Sequence, residues 1–282
     1  MNGFRLVFTA LVSVDVVDTV GDVIGLEPNV VDGDRGVSVS DQAERSKPLQ
    51  RRATIMSDSA SAGIRWNGAL GGLQGFEVGD RLESCRRLVV ASCQGREGRC
   101  PNTLLVWIGL LPRPDAREVL IIASGYNDLD VEVAVSAREV LDAALATGDE
   151  TIAWVTYRVS VDYLLLLDQN VEVANHEVVN EELYLLAAQD EHSVLQLWDL
   201  TGDTRTAFHW FNDEDGVHQK ELGSWGVADW VSRKMAQLDG RPCPMPRIPT
   251  FPQDQVHSAR NVLRILRGLP DIDGLYELWS HN

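Results

Sequence analysis

Short runs in which apolar and polar residues alternate dominate the pattern along this chain. The clearest alternation covers residues 155–167, where every second residue is apolar and the first four intervening residues are polar. Apolar residues at every second position are typical of a β-strand with one buried face. The pattern therefore predicts a mainly β protein.

The most apolar stretch of the chain predicts a meander of three antiparallel strands. Residues 183–188 and 194–199 are runs of strand length separated by a polar turn, and alternation continues over residues 204–210. Gly202 supplies the second turn, because glycine can adopt a positive φ angle. We expect Trp198 to be a buried anchor of this meander.

Helical spacing is confined to three short segments. Residues 136–147, 225–238 and 255–269 carry apolar side chains three and four positions apart. Ser136 and Gly148 suit the start and the end of the first segment. We predict short helices there, within a fold of antiparallel meanders.

A polar segment divides the chain. Residues 42–63 are rich in Ser, Arg and Asp and are predicted to form a linker. The division leaves an N-terminal strand segment over residues 1–41 and a main β-rich domain over residues 64–282.

Charge excludes several kinds of partner. The net charge is −17 and the isoelectric point is near 4.7. Affinity for nucleic acid and for anionic membranes depends on Lys and Arg, so neither is expected as a partner. No run reaches the roughly 18 apolar residues that a membrane span needs. The apolar N-terminal run lacks an obvious cleavage site, which favours an intracellular, cytoplasmic protein over a secreted one.

The four cysteines do not have the spacing of a zinc site. Cys85, Cys93, Cys100 and Cys243 lack the pair of ligands two to four residues apart that structural zinc sites use. Unpaired thiols are the favoured interpretation. A disulfide that joins Cys85 or Cys93 to Cys100 is the alternative.

Candidate catalytic and ligand-binding motifs are weak. The glycines of residues 67–80 lack the spacing of a phosphate-binding loop, and His176-Glu177 has Asn180 where a zinc protease needs a second histidine. An acidic turn contains four possible metal ligands but is interpreted as a solvated turn: His209, Asp213, Asp215 and His218. No catalytic, cofactor-binding or metal-binding residue is predicted, and no cofactor is expected.

A weak internal repeat starts in each copy with an aspartate. After two intervening residues, alternating apolar positions follow, as in the seven residues from Asp128 and the seven from Asp168. This pattern resembles the turn and third strand of a WD40 repeat. Trp198-Asp199 resembles the Trp-Asp pair of that family. The resemblance implies a β-propeller, with repeat positions at Asp128, Asp168, Trp198, Asp199, Asp273 and Trp279.

The fold predicted in this way favours a binding function. We expect a non-catalytic scaffold that presents a β-sheet rim with Trp and Arg side chains to a protein partner. One alternative is an enzyme whose site is assembled from loops distant in sequence. Another is an acidic inhibitor or immunity-type protein that covers a basic surface.

Overall fold

A computed structural model describes residues 51–112, 118–128, 132–148, 151–158, 170–190, 194–204, 207–212, 216–247 and 267. All of them belong to one compact unit that begins at Lys47. The predicted N-terminal strand segment, residues 1–41, lies outside the described residues, as does the predicted helix over residues 255–269 apart from Arg267.

Strands and helices alternate along the chain. The strands are β1 (Arg52–Ser57), β2 (Glu77–Leu82), β3 (Glu118–Ala123), β4 (Thr151–Val155) and β5 (Leu195–Trp198). The helices are α1 (Ser59–Trp66), α2 (Leu104–Leu110), α3 (Val133–Thr147), α4 (Asn170–Gln189), α5 (Leu200–Asp203) and α6 (Glu221–Leu238). Two short 3₁₀ turns cover Ala69–Gly72 and Phe208–Trp210.

The five described strands form one parallel sheet in the order β2-β1-β3-β4-β5. In the described part of the chain β1 comes first, β2 is added on one side of it, and β3 is added on its other side. The strand order therefore reverses between β1 and β3. In open α/β sheets such a reversal opens a crevice at the carboxyl ends of the two strands, where ligands bind.

Helices cover both faces of the sheet. In β3, Ile121 packs into the core shared with α1 and α6, whereas Leu120 and Ile122 pack into the core shared with α2, α3 and α4. A strand buried on both faces needs apolar residues at every position, which explains the uninterrupted apolar sequence of β3.

The predicted mainly β fold of antiparallel meanders is wrong, and so is the resemblance to a WD40 propeller. The described strands pair in parallel, and each βα unit contributes a helix rather than a hairpin. Residues 183–188, predicted as a strand, lie within α4, and β5 is an edge strand parallel to β4. Apolar runs of four to six residues fit a buried parallel strand or a buried helix turn as well as a meander strand.

The predicted repeat positions have other roles. The Asp128 carboxylate accepts hydrogen bonds of 3.1 and 3.0 Å from the Leu88 backbone N–H, so it secures a loop beyond β3. Asp199 caps α5 by accepting a 2.9 Å hydrogen bond from the Gly202 N–H. Trp198 ends β5 and is buried. The remaining repeat positions lie outside the described residues: Asp168, Asp273 and Trp279.

Two of the predicted helices are present, within α3 and α6, and each begins a few residues earlier than its pattern indicated. The predicted linker overlaps β1 and the first part of α1. Its small polar residues are there because Ser57 and Asp58 end a buried strand and cap the next helix. In the part of the chain that is described, no helix is both long and apolar enough to cross a bilayer.

Candidate active site

Polar side chains collect at the crevice between β1 and β3. Ser57 is the last residue of β1 and Asp58 and Ser59 follow it, while the segment from Ser124 to Asp128 follows β3. The carboxyl ends of parallel strands lie at the same edge of a sheet, so the two segments are neighbours. Hydrogen bonds between Asp58 and the second segment confirm this proximity.

Ser59 is hydrogen-bonded to a histidine from a distant part of the chain. Its Oγ lies 2.9 Å from Nε2 of His218, which is 159 residues further along and belongs to the loop between α5 and α6. Both side chains are partly exposed. A serine hydroxyl within hydrogen-bonding distance of an imidazole nitrogen is the arrangement that activates serine as a nucleophile.

Asp58 fixes the position of Ser59. Asp58 is fully buried and caps α1, because its Oδ1 accepts a 2.9 Å hydrogen bond from the Ala60 N–H. Its Oδ2 accepts from the backbone N–H groups of Gly125 at 2.8 Å and Tyr126 at 2.9 Å. One carboxylate thus ties the start of α1 to the loop after β3, and Ser59 is the first helical residue next to it.

The charge of Asp58 bears on the chemistry of the site. Burial raises the pKa of Asp58 to about 6, although the three N–H donors and nearby His218 oppose that rise. Above that pH the carboxylate is negatively charged. A negative charge near His218 stabilises the positive charge that the imidazole acquires when it takes a proton.

Gly125 lets the loop after β3 pass close to Tyr157. Its φ angle is +129°, and a Cβ atom there would lie 1.8 Å from the Tyr157 hydroxyl oxygen. That hydroxyl donates a 2.8 Å hydrogen bond to the Ser124 carbonyl. Burial holds the pKa of Tyr157 well above its usual value, so the hydroxyl keeps its proton and remains a donor.

Two N–H groups at this edge can donate to a substrate oxygen. The backbone N–H of Ser59 is in the first turn of α1, where the helix supplies no acceptor. The Asn127 side-chain amide donates a 3.2 Å hydrogen bond to the Arg86 carbonyl, which leaves its second N–H for another acceptor. Backbone and side-chain N–H donors near a nucleophile can stabilise the oxyanion that forms when a carbonyl is attacked.

A disulfide-bonded loop supports these groups from the side of β2. Cys85 and Cys93 form a disulfide, whereas Cys100 and Cys243 are free and exposed. The favoured interpretation of unpaired thiols is therefore wrong for Cys85 and Cys93, and the alternative of a disulfide to Cys100 is also wrong. Next to Cys85, the buried Arg86 donates from Nε to the Ser57 carbonyl at 3.0 Å and accepts from Asn127. The loop thus contacts the ends of both site segments.

The residues considered as metal ligands do not form a described metal site. His209 is buried and His218 contacts Ser59, while Asp213 and Asp215 lie outside the described residues. Within the described ranges, no three His, Cys, Asp or Glu side chains are close enough to hold a metal ion. Burial lowers the pKa of His176 to about 4, and its ring stacks on Tyr157 with centroids 5.5 Å apart.

The sequence patterns did not predict the roles of Ser59, Asp58 and Asn127 or the pairing of His218 with Ser59. Local signals were present. The sequence Ser-Asp-Ser begins at the last residue of β1 and is followed by small residues that suit a helix start, and Ser-Gly-Tyr-Asn-Asp directly follows β3. Small polar residues directly after a buried strand are expected at the ligand-binding edge of a parallel sheet. The assumption of a meander hid this relation.

Comparison with known proteins finds similarity only among solved structures. No family model and no curated protein matches the chain. A proposed arylesterase from Agrobacterium tumefaciens is 14% identical over 66% of this chain and 99% of that one, with a TM-score of 0.49. A member of the lipolytic G-D-S-L family from Veillonella parvula is 14% identical over 61% and 91%, with a TM-score of 0.44. The catalytic domain of peptidoglycan O-acetyltransferase A from Streptococcus pneumoniae is 13% identical over 68% and 97%, with a TM-score of 0.45. Similarity at this level does not assign the chain to a family.

The predicted non-catalytic scaffold is wrong. Its premise was a propeller rim, and the described fold is a parallel α/β sheet. The ligand-binding edge of that sheet holds a serine and a histidine in the arrangement of a nucleophile and its base. This matches the alternative that the sequence left open, an enzyme whose site is assembled from loops distant in sequence.

Proposed function

We propose that the protein is a serine hydrolase that cleaves esters, with Ser59 as nucleophile and His218 as general base. The observation that carries the proposal is the 2.9 Å hydrogen bond between Ser59 Oγ and His218 Nε2. It lies at the strand-order reversal, where a substrate can reach it, and both side chains are partly exposed.

Each step of the reaction has a residue to perform it. His218 Nε2 takes the hydroxyl proton as Ser59 Oγ attacks the ester carbonyl carbon, and the N–H groups of Ser59 and Asn127 bind the resulting oxyanion. The bond to the leaving oxygen then breaks, and that oxygen takes the proton from His218. Water, deprotonated by His218, attacks the acyl-enzyme in the same way and releases the acid.

The base needs a partner that holds its ring in the correct tautomer. When Nε2 accepts from Ser59, the proton of a neutral imidazole is on Nδ1, and a carboxylate usually receives it. Asp215 stands three residues before His218 in sequence, outside the described residues. Turnover by Asp215→Asn tests whether this carboxylate contributes to kcat, and a lower kcat with phosphonate labelling of Ser59 retained is the outcome expected of a partner of the base.

Charge narrows the substrate class. A net charge of −17 repels anions at long range, so neutral esters should be preferred over anionic ones. Hydrolysis of p-nitrophenyl acetate and of an anionic analogue, compared at low and high salt, measures this preference. The difference in kcat/KM between the neutral and the anionic ester should decrease at high salt, because salt screens the negative charge of the protein.

The main test combines labelling and turnover. A fluorophosphonate should label the wild-type protein at Ser59, as located by peptide mass spectrometry. Ser59→Ala should remove the label, and both Ser59→Ala and His218→Gln should lower the hydrolysis of p-nitrophenyl acetate by about 1000-fold or more. Ser136→Ala is the matched control, because Ser136 is also partly exposed but lies on α3. A wild-type protein that is neither labelled nor active would rule out the proposal.

Two further expectations remain predictions. One is a protein partner, which co-purification would reveal. The other is an intracellular location, which conflicts with the Cys85–Cys93 disulfide unless that bond is protected, because a reducing cytoplasm keeps thiols reduced. Cell fractionation combined with trapping of free thiols would decide the second.

A further inference from the structure

Arg158 is a buried arginine that follows β4 and contacts the loop carrying His218. Its Nη1 donates a hydrogen bond to the Gly216 carbonyl, and its Cζ lies 3.9 Å from the centroid of the Phe211 ring. Only 7% of Arg158 is exposed. The guanidinium thus reaches the loop at two points, through a donor and through a stacked face.

The two contacted residues define the shape of that loop. Phe211 forms an antiparallel bridge with Gln219, the residue after His218. Between them, the Asn212 N–H donates to the His218 carbonyl and the Gly216 N–H donates to the Asn212 carbonyl, both at 2.8 Å. The loop is therefore a small hairpin with His218 on its second arm. A displacement of Gly216 or Phe211 would move the imidazole.

The backbone of Arg158 is connected to the nucleophile side of the site. Its N–H donates a hydrogen bond to the Tyr126 hydroxyl, and the Tyr126 N–H donates to Asp58 Oδ2 at 2.9 Å. Asp58 in turn caps the helix that begins with Ser59. One chain of contacts therefore joins the helix that carries the nucleophile to the hairpin that carries the base.

We propose that Arg158 is a positioning residue, which sets His218 at hydrogen-bonding distance from Ser59. This inference rests on the proposed hydrolase function. Arginine suits the role because its planar guanidinium can stack on a ring and donate in its own plane at the same time. The compact ammonium of lysine can do one of these in a given position.

Steady-state kinetics on p-nitrophenyl acetate test the role. Arg158→Met should lower kcat by about 100-fold and leave KM within a factor of about two, because a base misplaced by about 1 Å costs about that much. Arg158→Lys should recover part of the loss, since it can still donate to Gly216. If Arg158 only stabilised the fold, kcat per folded molecule would be the same in wild type, Arg158→Met and Arg158→Lys.

The kcat of each variant is divided by its fraction of folded protein, which urea titration measures. This correction separates a loss of folded protein from a misplaced base. Arg233→Met is the matched control, because Arg233 pairs with buried Asp229 in α6, away from the site. It should lower stability and leave kcat unchanged. If Arg158→Met does not fold, Tyr126→Phe removes the acceptor of the Arg158 N–H and should lower kcat less, again at constant KM.

The outcomes separate the two proposals. An active wild-type protein whose Arg158→Lys, Arg158→Met and Tyr126→Phe variants keep its kcat would overturn the positioning role and leave the hydrolase intact. A wild-type protein without turnover or phosphonate labelling would overturn the hydrolase and, with it, the positioning role.

Discussion

Trp198 and Trp230 meet edge to face, with ring centroids 5.9 Å apart and planes at 88°. Trp198 ends the edge strand β5, and Trp230 lies in the middle of α6. The contact fastens the last described helix to the edge of the sheet. Trp198 is thus a buried anchor, as expected from the sequence, but of a parallel sheet rather than of a meander.

Trp198→Ala should lower the free energy of unfolding by about 3–5 kcal/mol, because it leaves a large cavity between β5 and α6. That is a large part of the roughly 5–15 kcal/mol that a domain usually has. Urea titration followed by circular dichroism measures the change. Val106→Ala is the control, since Val106 is half-exposed on α2 and should cost less than about 0.5 kcal/mol. Equal stability of wild type and Trp198→Ala would contradict the structural role.

Gly125→Ala should destabilise the protein and abolish hydrolysis. A Cβ atom would overlap the Tyr157 hydroxyl, so the loop carrying Asn127 must move. Gly98→Ala separates this clash from backbone strain, because Gly98 also has a positive φ angle but has no atom within 4 Å of its Cβ position. We expect a cost of about 1 kcal/mol for Gly98→Ala and a clearly larger one for Gly125→Ala. Similar costs in thermal melts would show that the contact with Tyr157 is not decisive.

Loss of the Cys85–Cys93 disulfide should reduce both stability and activity. A cross-link that closes a loop of this size contributes roughly 2.5 kcal/mol through the unfolded state. Activity should fall as well, because Arg86 beside Cys85 accepts the hydrogen bond from Asn127. The double variant Cys85→Ser with Cys93→Ser, assayed for turnover and urea stability, tests both effects. Cys100→Ser with Cys243→Ser should behave like wild type, and an equal loss in that pair would refute the assignment.

Asp58 should make the protein less stable as the pH rises from about 4 to about 6. Burial raises the folded-state pKa to about 6 from 3.8, so in this window the folded state retains a proton that the unfolded state has lost. Stability is highest below the lower value and falls until the upper one, by about 3 kcal/mol for a difference of about two pKa units. The unfolding free energy of wild type minus that of Asp58→Asn, measured across this range, isolates the contribution.

Asp203 gives a control of opposite sign. Partial burial raises its pKa, but hydrogen bonds from Lys234 and Trp230 outweigh burial, so the pKa lies below its usual value. The corresponding difference for Asp203→Asn should therefore increase as the pH rises through the acid range. If both differences slope the same way, the account of Asp58 is incorrect.

Sequence patterns located α3 and α6 because those helices have one buried face and one exposed face. In α3, Val140 and Leu141 are buried whereas Val135 is exposed, and the spacing is visible. Helix α4 was mistaken for a strand because Tyr184 and Leu185 are exposed apolar residues between the buried Leu183 and Leu186. Their apolar character erased the helical pattern.

The active site could not be assembled from the sequence for a different reason. The residues around Ser59 and around His218 do not form a recognisable catalytic motif. The crevice at the carboxyl end of β1 exists because the strand order reverses there, and this reversal is not visible in either segment. A correct assignment of β1 and β3 as parallel strands would have placed Asp58 and Asn127 together. The partner of Ser59 comes from a loop beyond the last described strand, which strand order alone does not locate.

The parallel sheet also determines when the site appears during folding. No described strand pairs with a neighbour through a tight hairpin, so every strand pairing closes a long stretch of chain, and such a protein has high contact order and folds slowly. The hydrogen bond between Ser59 and His218 spans 159 residues and depends on all the pairings between them. During refolding from urea, helical circular dichroism should recover first and phosphonate labelling last. The time at which Ser59 becomes reactive to the phosphonate therefore reports when all the βα units have assembled.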